Sequence, residues 1–273
     1  MTNKLTTTYR KNKMKNVSAR IMGGKSTFIS RDELSSIAAP SGEGRWNPIS
    51  HISVVEHAVE FLNKSGMVIV EEQHAVQVNK KTGLQENYFG VLKLQSTRSD
   101  YQTAIGIRNS NAKKFAASFA IGSSVFVCDN MCFYGEAVVK ARHTLNVHET
   151  LGTRIGNAVG TILDLEAEQD NEVNRLKEIE MNNAKADHLI MCAARDSIIS
   201  PNRILPVSKE WREPRHDEFK PRNAWSLFNA FTEAMKPIGN QDLVNHGLDL
   251  TVSGANLHHL FAKLNKQAGI KRD

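Results

Sequence analysis

The sequence predicts an α+β protein: an antiparallel β-sheet with packed helices, followed by a mostly helical C-terminal half. Between residues 67 and 107, runs of β-branched and aromatic residues alternate with short polar turns, and short connections between neighbouring strands imply antiparallel pairing. From residue 146 onward, apolar residues recur at spacings of three and four, the period of an amphipathic helix. A chain of 273 residues can bury a large core without disulfides or metal.

The composition is that of a globular protein with an excess of positive charge. A net charge of +6 favours an anionic partner. An odd count of three cysteines favours a reducing compartment without a disulfide framework. No apolar run approaches the roughly 18 residues that span a bilayer, and the basic N-terminus lacks the apolar core of a secretory signal. We therefore expect no membrane partner.

Three regions are predicted along the chain. Residues 1–45 form a basic, flexible arm, because the first 20 residues carry six lysines and arginines and no acid. This arm could contact phosphates, or it could be a solvated tail. Residues 46–145 form the α+β core, and residues 146–273 form a helical region with a proline-rich linker at 206–222.

Within the predicted core, Ser50 is a suitable N-cap for a helix over 51–64, which Gly66 would end. Strands are predicted over 67–78, 88–94 and 101–107. Residues 113–121 fit either a helix or a strand. Further strands are predicted at 125–128 and 137–140, around a turn at 129–130.

In the C-terminal half, residues 146–194 fit either one long helix, as an arm or oligomer contact would have, or two core helices with a break near 169–171. An amphipathic helix is predicted over 222–236, with Trp225 and Phe228 on its apolar side. A last helix is predicted over 254–268.

The sequence contains no clear catalytic motif. Cys128 and Cys132 have a spacing that zinc ligands use, but a second pair is missing, and two buried reduced cysteines explain the spacing equally. Cys128 could also serve as a nucleophile with His143 as its base, although nothing in the sequence brings them together. We therefore expect no catalytic residue, no metal and no cofactor.

A cluster of cations between residues 108 and 142 favours binding to an unpaired nucleic-acid strand. Cationic side chains can neutralise phosphates, and an aromatic ring can stack on a base. The candidate contacts are Arg108, Lys113, Lys114, Lys140 and Arg142 for phosphates and Tyr134 for stacking. The alternative is that these cations are scattered and solvated, so the hypothesis requires them to converge into one strip.

Four motifs resemble the phage- and plasmid-borne family known as domain of unknown function nine-three-two. They are GIRNS at 106–110, VFVCDN at 125–130, RHT at 142–144 and NAWSLFNAFTE at 223–233. That family usually continues Asn-Ser with His-Asp, whereas Asn111 and Ala112 follow here. The resemblance covers about residues 46–236 and implies a mobile-element protein in a bacterial cytoplasm. It implies no particular activity.

The order of helix and strands is also similar to that of phage single-strand annealing proteins such as RecT and Red-beta, which oligomerise around an unpaired strand. We therefore expect a non-enzymatic protein that binds single-stranded DNA, as a homo-oligomer, and supports recombination or strand annealing. The alternative is an interaction protein that inhibits a host defence or replication factor through an apolar face such as the Trp225 helix. A hydrolase or nuclease is disfavoured, because no paired carboxylates or His-rich metal set appear.

Overall fold

Six antiparallel strands in sequential order form the sheet around which the protein is built. The computed structural model describes residues 26–79, 81–98, 101–125, 131–235 and 259–261, with the backbone alone at 26, 123–125 and 131–138. The strands are β1 (Ser26–Ile29), β2 (Ile69–Val78), β3 (Gln85–Leu94), β4 (Tyr101–Ser110), β5 (Ala117–Val125) and β6 (Met131–Ala141). Each strand pairs with the next along the chain, which confirms the predicted antiparallel topology.

Besides two 3-10 helices at Pro201–Arg203 and Asp217–Phe219, seven α-helices accompany the sheet in the described residues up to Met235. They are α1 (Arg31–Ser35), α2 (His51–Lys64), α3 (Val147–Gly160), α4 (Ile162–Glu178), α5 (Asn183–Arg195), α6 (Ile204–Arg212) and α7 (Ala224–Met235). Helix α2 begins where Ser50 accepts a hydrogen bond from the backbone of Ser53, as its sequence predicts. The α+β fold class with a helical C-terminal half is thereby confirmed.

One face of the sheet packs against α1, α2 and α3. Alternate residues of β3, β4 and β5 point into this core, because successive side chains of a strand face opposite sides. The buried members include Leu34, Val54, Leu62, Leu92, Ile105, Ile107, Phe119, Leu151 and Ile155. Gly90 of β3 faces the same side, and a Cβ there would collide with the phenol of Tyr88, whose hydroxyl contacts Nδ1 of His74 at 2.9 Å.

A second apolar core lies between α4, α5, α6 and α7. Its largest fully buried side chains are Trp211, Phe231 and Phe261. Trp225 and Phe228 of α7 stack with ring centroids 5.7 Å apart and are each only 6% exposed. The apolar side of α7 is therefore core, and it provides no docking face for a partner in this structure.

The start of β4 joins the sheet to this second core. Tyr101, the first residue of β4, is buried among the α4–α7 side chains. Its hydroxyl donates to Asp170 of α4, and Arg98 contacts Asp170 at 2.6 Å and Glu166 at 3.4 Å. Burial alone would lower the pKa of Arg98, but the two carboxylates outweigh it and raise that pKa. The hydrogen bond from Arg98 lowers the pKa of Asp170.

The residues from Ser26 to 45 differ from the prediction of a flexible arm. Strand β1 pairs with β2, Ser30 and Glu33 form a capping box on α1, and Leu34 is fully buried. Three apolar side chains of this mostly polar segment pack into the core beside α2: Leu34, Ile29 and Ile37. Residues 1–25 of that prediction lie outside the described residues.

The segment 206–222 also differs from the predicted linker, because α6 runs into it. Pro206 is the third residue of α6, in the first turn, where a backbone N–H has no intrahelical acceptor to lose. Pro214 and Pro221 lie beyond the helix ends and break nothing.

Three other expectations are resolved by the structure. Residues 113–121 contain a turn and then strand β5, and no helix. The helical stretch 146–194 consists of three helices, interrupted at Thr161 and near 179–182, while the predicted break at 169–171 lies inside α4. The turn at 129–130 lies outside the described residues, as does all of the predicted helix 254–268 except 259–261.

Candidate nucleic-acid interface

A row of residues across three neighbouring strands places two of the predicted cations on one sheet face. Arg108 of β4 pairs with Ser118 of β5, which pairs with Lys140 of β6. Residues directly opposite in an antiparallel sheet point to the same side, about 10 Å apart across three strands. Because Ile107 and Ala141 are buried in the α2–α3 core, Arg108 and Lys140 point away from that core.

Arg108 is the more enclosed of these two cations. Its guanidinium lies 5.2 Å from the ring centroid of Phe115, and its Nε donates to the Ser118 hydroxyl at 3.4 Å. Burial lowers the pKa of this guanidinium, although an arginine stays charged. Arg108 is therefore held in one orientation by its neighbours rather than free in solvent.

Lys113 and Lys114 lie on the turn between β4 and β5, beside the row. The hydroxyl of Ser110 accepts hydrogen bonds from the backbone N–H groups of Ala112 and Lys114, both at 3.2 Å, which shapes this turn. Lys113 has a left-handed backbone with φ of 59°. Its ammonium lies 2.5 Å from the carboxylate of Glu43 and 4.7 Å from the centroid of the Trp46 ring.

Lys114, Lys140 and Arg142 are exposed. No ion pair to any of the three is formed within the part of the chain that the structure describes. Arg154 of α3 donates to the carbonyl of Lys140 at 2.6 Å, which brings a further exposed cation to the β6 side. The structure thus brings together Arg108, Lys113, Lys114, Lys140 and Arg142 at one end of the sheet.

The remaining predicted residues fall where side chains are not described. Tyr134 belongs to β6, but its ring is outside the described side chains, so its stacking role stays a prediction. Cys132 is likewise described by its backbone alone, and Cys128 lies outside the described residues. Among the described residues, no three His, Cys, Asp or Glu side chains are grouped closely enough to hold a metal ion.

Behind the exposed cations lies a buried cluster of neutral polar groups, which we call the His51 cluster: His51, Asn109, Asn111, His143 and the backbone of Ile49. The amide nitrogen of Asn109 donates to the Ile49 carbonyl at 2.8 Å and contacts Nδ1 of His51 at 3.0 Å. The Ile49 N–H donates to Nδ1 of His143 at 3.2 Å. The cluster fixes the loop before α2 to the ends of β4 and β6.

These contacts define the tautomers of both histidines. Because Nδ1 of His143 accepts from a backbone N–H, its proton is on Nε2. Nδ1 of His51 accepts from Asn109, so the His51 proton is also on Nε2, which contacts the Gln85 carbonyl at 3.3 Å. Burial lowers the pKa of His51 to about 4 and lowers the pKa of His143 as well, so both rings are neutral at pH 7.

Several buried atoms in and beside the His51 cluster have no hydrogen-bond partner among the described residues. They are Nε1 of Trp46, Oδ1 of Asn109, Oδ1 of Asn111 and Nε2 of His143. Turning the Asn111 amide over would let its oxygen accept from Nε2 of His51, now 3.4 Å from its nitrogen.

The His51 cluster was not predicted from the sequence, although two of its members lie in motifs that were noted there. GIRNS at 106–110 and RHT at 142–144 were noted for their family resemblance, and only Arg108 and Arg142 in them were given a role. Asn109 and His143 of the same motifs make the buried contacts. One further sequence feature indicated the cluster: His51 directly follows Ser50, the residue that caps α2. The cluster contains no nucleophile paired with a base. Its hydrogen bonds hold in place the strand ends that carry the cationic turn.

The fold and this site define an α+β protein whose antiparallel sheet carries a cationic end. The chain belongs to the family described as Domain of unknown function (DUF932), whose model matches residues 41–256. That match includes α2, β2–β6 and the helices through α7. No curated protein and no solved structure matches the chain. Within the described residues, no helix combines the length and the apolar composition needed to cross a membrane.

Proposed function

We propose that this protein binds single-stranded DNA at the cationic end of its sheet, without catalysing a reaction. Lys114, Lys140 and Arg142 contact phosphates, and Arg108 provides a fixed cation in the same row. Tyr134 stacks on a base. In this proposal the protein acts as a homo-oligomer in the bacterial cytoplasm and supports recombination or strand annealing for a phage or another mobile element.

The observation that carries the proposal is the exposure of Lys114, Lys140 and Arg142 at one end of the sheet, without an acidic partner among the described residues. Exposed cations elsewhere are of both kinds: Lys64 pairs with Glu60 and Arg212 with Asp187, whereas Lys185 and Lys209 form no ion pair among the described residues. The cationic end differs from the rest of the fold in grouping several such cations on neighbouring strands. A group of cations left without acids keeps its attraction for phosphates, which supports a polyanionic partner.

The row geometry is compatible with an extended polyanion. The backbones of Arg108 and Lys140 are separated by two inter-strand spacings, so their side chains can contact different phosphates of one strand.

The test is a retardation assay with single- and double-stranded DNA of equal length at two salt concentrations. The variant carries Lys114→Glu and Lys140→Glu. Loss of two phosphate contacts should weaken single-strand binding about 25-fold at 0.1 M salt and flatten the slope of log K against log salt by about 1.4. The proposal fails if the wild type binds neither DNA or if this variant binds as tightly as the wild type.

A matched control carries Lys185→Glu and Lys209→Glu, two exposed lysines on α5 and α6. The control changes the net charge by the same amount in the helical half, so its binding should stay close to that of the wild type. An equal loss in both double variants would show a general effect of net charge and would remove the support for a site at the cationic end.

The alternative proposal is an interaction protein that inhibits a host defence or replication factor. Its expected docking face was the apolar side of α7, where Trp225 and Phe228 are buried in the second core. The alternative would therefore need another surface. The same retardation assay separates the two proposals, because an inhibitor of a host protein need not retard DNA.

A further inference from the structure

We infer that the Glu43 carboxylate occupies the position on Lys113 that a DNA phosphate would take, and so masks Lys113. A phosphate can bind Lys113 only by displacing Glu43. This inference rests on the proposed function. It adds that the five cations at this end are not equivalent, because Lys113 alone is paired with an acid, Glu43, among the described residues.

A short hairpin presents Glu43 to the cationic turn. The backbone N–H of Glu43 donates to the Trp46 carbonyl at 2.8 Å, and the N–H of Trp46 donates to the Glu43 carbonyl at 3.0 Å. Gly44 makes this turn possible, since its φ of 58° is in the left-handed region that favours glycine. We call residues 43–46 the Glu43 hairpin.

The Glu43 hairpin is fixed to the same end of the sheet as the cations. The N–H of Asn47, the next residue, donates to the His143 carbonyl at 2.9 Å. The Trp46 ring meets the His143 ring edge-on, with centroids 6.4 Å apart. Since Arg142 precedes His143, the hairpin stands between the β4–β5 turn and the end of β6.

Lys113 is bound on two sides by this hairpin. Its ammonium contacts the Glu43 carboxylate at 2.5 Å and lies 4.7 Å from the Trp46 centroid. A phosphate oxygen bears the same kind of negative charge as the carboxylate and can replace it while the Trp46 contact is kept. The carboxylate is thus an internal competitor for the phosphate.

Replacement of the Glu43 carboxylate by a phosphate is easy because both side chains of the ion pair are exposed. The side chain of Glu43 is 78% exposed and that of Lys113 is 51% exposed. Ion pairs between exposed side chains are weak and are screened by salt. The pair is therefore strong enough to reduce the affinity of Lys113 for phosphate, but too weak to prevent a DNA strand from displacing Glu43.

The closing experiment measures single-strand affinity for Glu43→Gln by the same retardation assay. Releasing Lys113 should tighten binding about two- to fivefold at low salt, the range expected for one exposed ion pair. It should also steepen the slope of log K against log salt by up to about 0.7, one added phosphate contact. Glu60→Gln is the matched control, because Glu60 forms a similarly exposed pair with Lys64 on α2.

A double-variant cycle separates masking of Lys113 from simple repulsion of DNA by Glu43. In a Lys113→Gln background, Glu43→Gln should give no gain. An equal gain in that background, or equal affinities for Glu43→Gln and Glu60→Gln, overturns the masking while leaving the proposed function intact. If no variant and no wild-type protein retards single-stranded DNA, the proposed function fails and the masking fails with it.

Discussion

Cations lie at both ends of strand β4, but they are paired with carboxylates at one end and mostly unpaired among the described residues at the other. At the start, Arg98 contacts two carboxylates of α4, from Glu166 and Asp170. At the other end, four cations form no ion pair among the described residues: Arg108, Lys114, Lys140 and Arg142. The fifth, Lys113, pairs with the exposed Glu43. One end uses charge to join the sheet to the helical half, and the other leaves charge available.

The polar groups behind the two ends also differ. Thr103 and Tyr101 donate hydrogen bonds to the same α4 carboxylates at the joining end. At the open end, the His51 cluster is neutral, with histidines kept uncharged by burial. A neutral support positions the cationic turn without cancelling its charge, which is what a surface for a polyanion needs.

The largest expected effect concerns Asn109, the central residue of the His51 cluster. Asn109→Leu keeps the approximate volume but removes the donor that serves both the Ile49 carbonyl and Nδ1 of His51. Two buried acceptors would lose their partner, at about 1–3 kcal/mol each, so we expect a loss of about 4 kcal/mol in the free energy of unfolding. Urea denaturation at pH 7 measures it.

Asn63→Leu is the control for that substitution. Asn63 is exposed near the end of α2, so the same chemical change should leave the free energy of unfolding nearly unchanged. A loss below about 1 kcal/mol for Asn109→Leu would show that the neutral cluster does not hold the open end in place.

Acid should weaken the open end through His51. The pKa of His51 is about 4 in the folded protein and about 6.5 when unfolded, so between these values the unfolded chain binds more protons. Stability from this group is complete above about pH 6.5 and is lost as pH falls toward 4, by at most about 3 kcal/mol. Thermal unfolding between pH 7 and 4 follows this loss.

The variant His51→Gln separates the loss of stability due to His51 protonation from that due to other titrating groups. A glutamine can accept from Asn109 and donate to the Gln85 carbonyl but does not titrate, so the fall with acid should be smaller. Part of the fall should persist, because burial lowers the pKa of His143 as well. The control is His188→Gln, at an exposed position of α5, which should keep the full fall. Identical pH profiles for His51→Gln and the wild type would contradict a buried, neutral His51.

Local sequence signals predicted most of the fold. Helix α2 was predicted with its observed bounds, because the capping Ser50, the apolar period and Gly66 agree on it. The prolines near α6 misled the prediction, since Pro206 looks like a helix breaker unless its position in the first turn is known. In β1, four residues are too few for a periodic pattern, and only pairing with β2 makes them a strand.

The candidate site was predictable only as a set of charges. The basic residues between 108 and 142 could be counted, but their partners could not, because Glu43 is 70 residues from Lys113 in the chain and Glu166 is remote from Arg98. Whether a cation is neutralised depends on which distant acid the fold brings to it. The His51 cluster was missed for the same reason, since its members come from three separate segments.

The smallest of the three predicted changes in stability concerns Arg98, just before β4, where the sheet joins the helical half. Arg98→Ala leaves Glu166 and Asp170 without their cation, and the side chain of Arg98 is only 18% exposed. Breaking a fully buried pair costs about 3–5 kcal/mol, and partial solvation of the carboxylates reduces this to about 2 kcal/mol. Because Asp170 has a lowered pKa when paired, the loss should shrink as pH falls through about 4, where the carboxylates of the unfolded chain are protonated.

Urea denaturation and the retardation assay together decide whether the two ends are independent. Arg98→Ala should lower the free energy of unfolding while leaving single-strand affinity unchanged, and Lys114→Glu with Lys140→Glu should do the reverse. Lys220→Ala is the control for the loss of an ion pair, since its contact with Asp217 is exposed and its removal should leave the unfolding midpoint in place. If Arg98→Ala weakened DNA binding in proportion to stability, the contrast between a joining end and an open end would be wrong, because the cationic turn would then depend on the α4 contacts for its position.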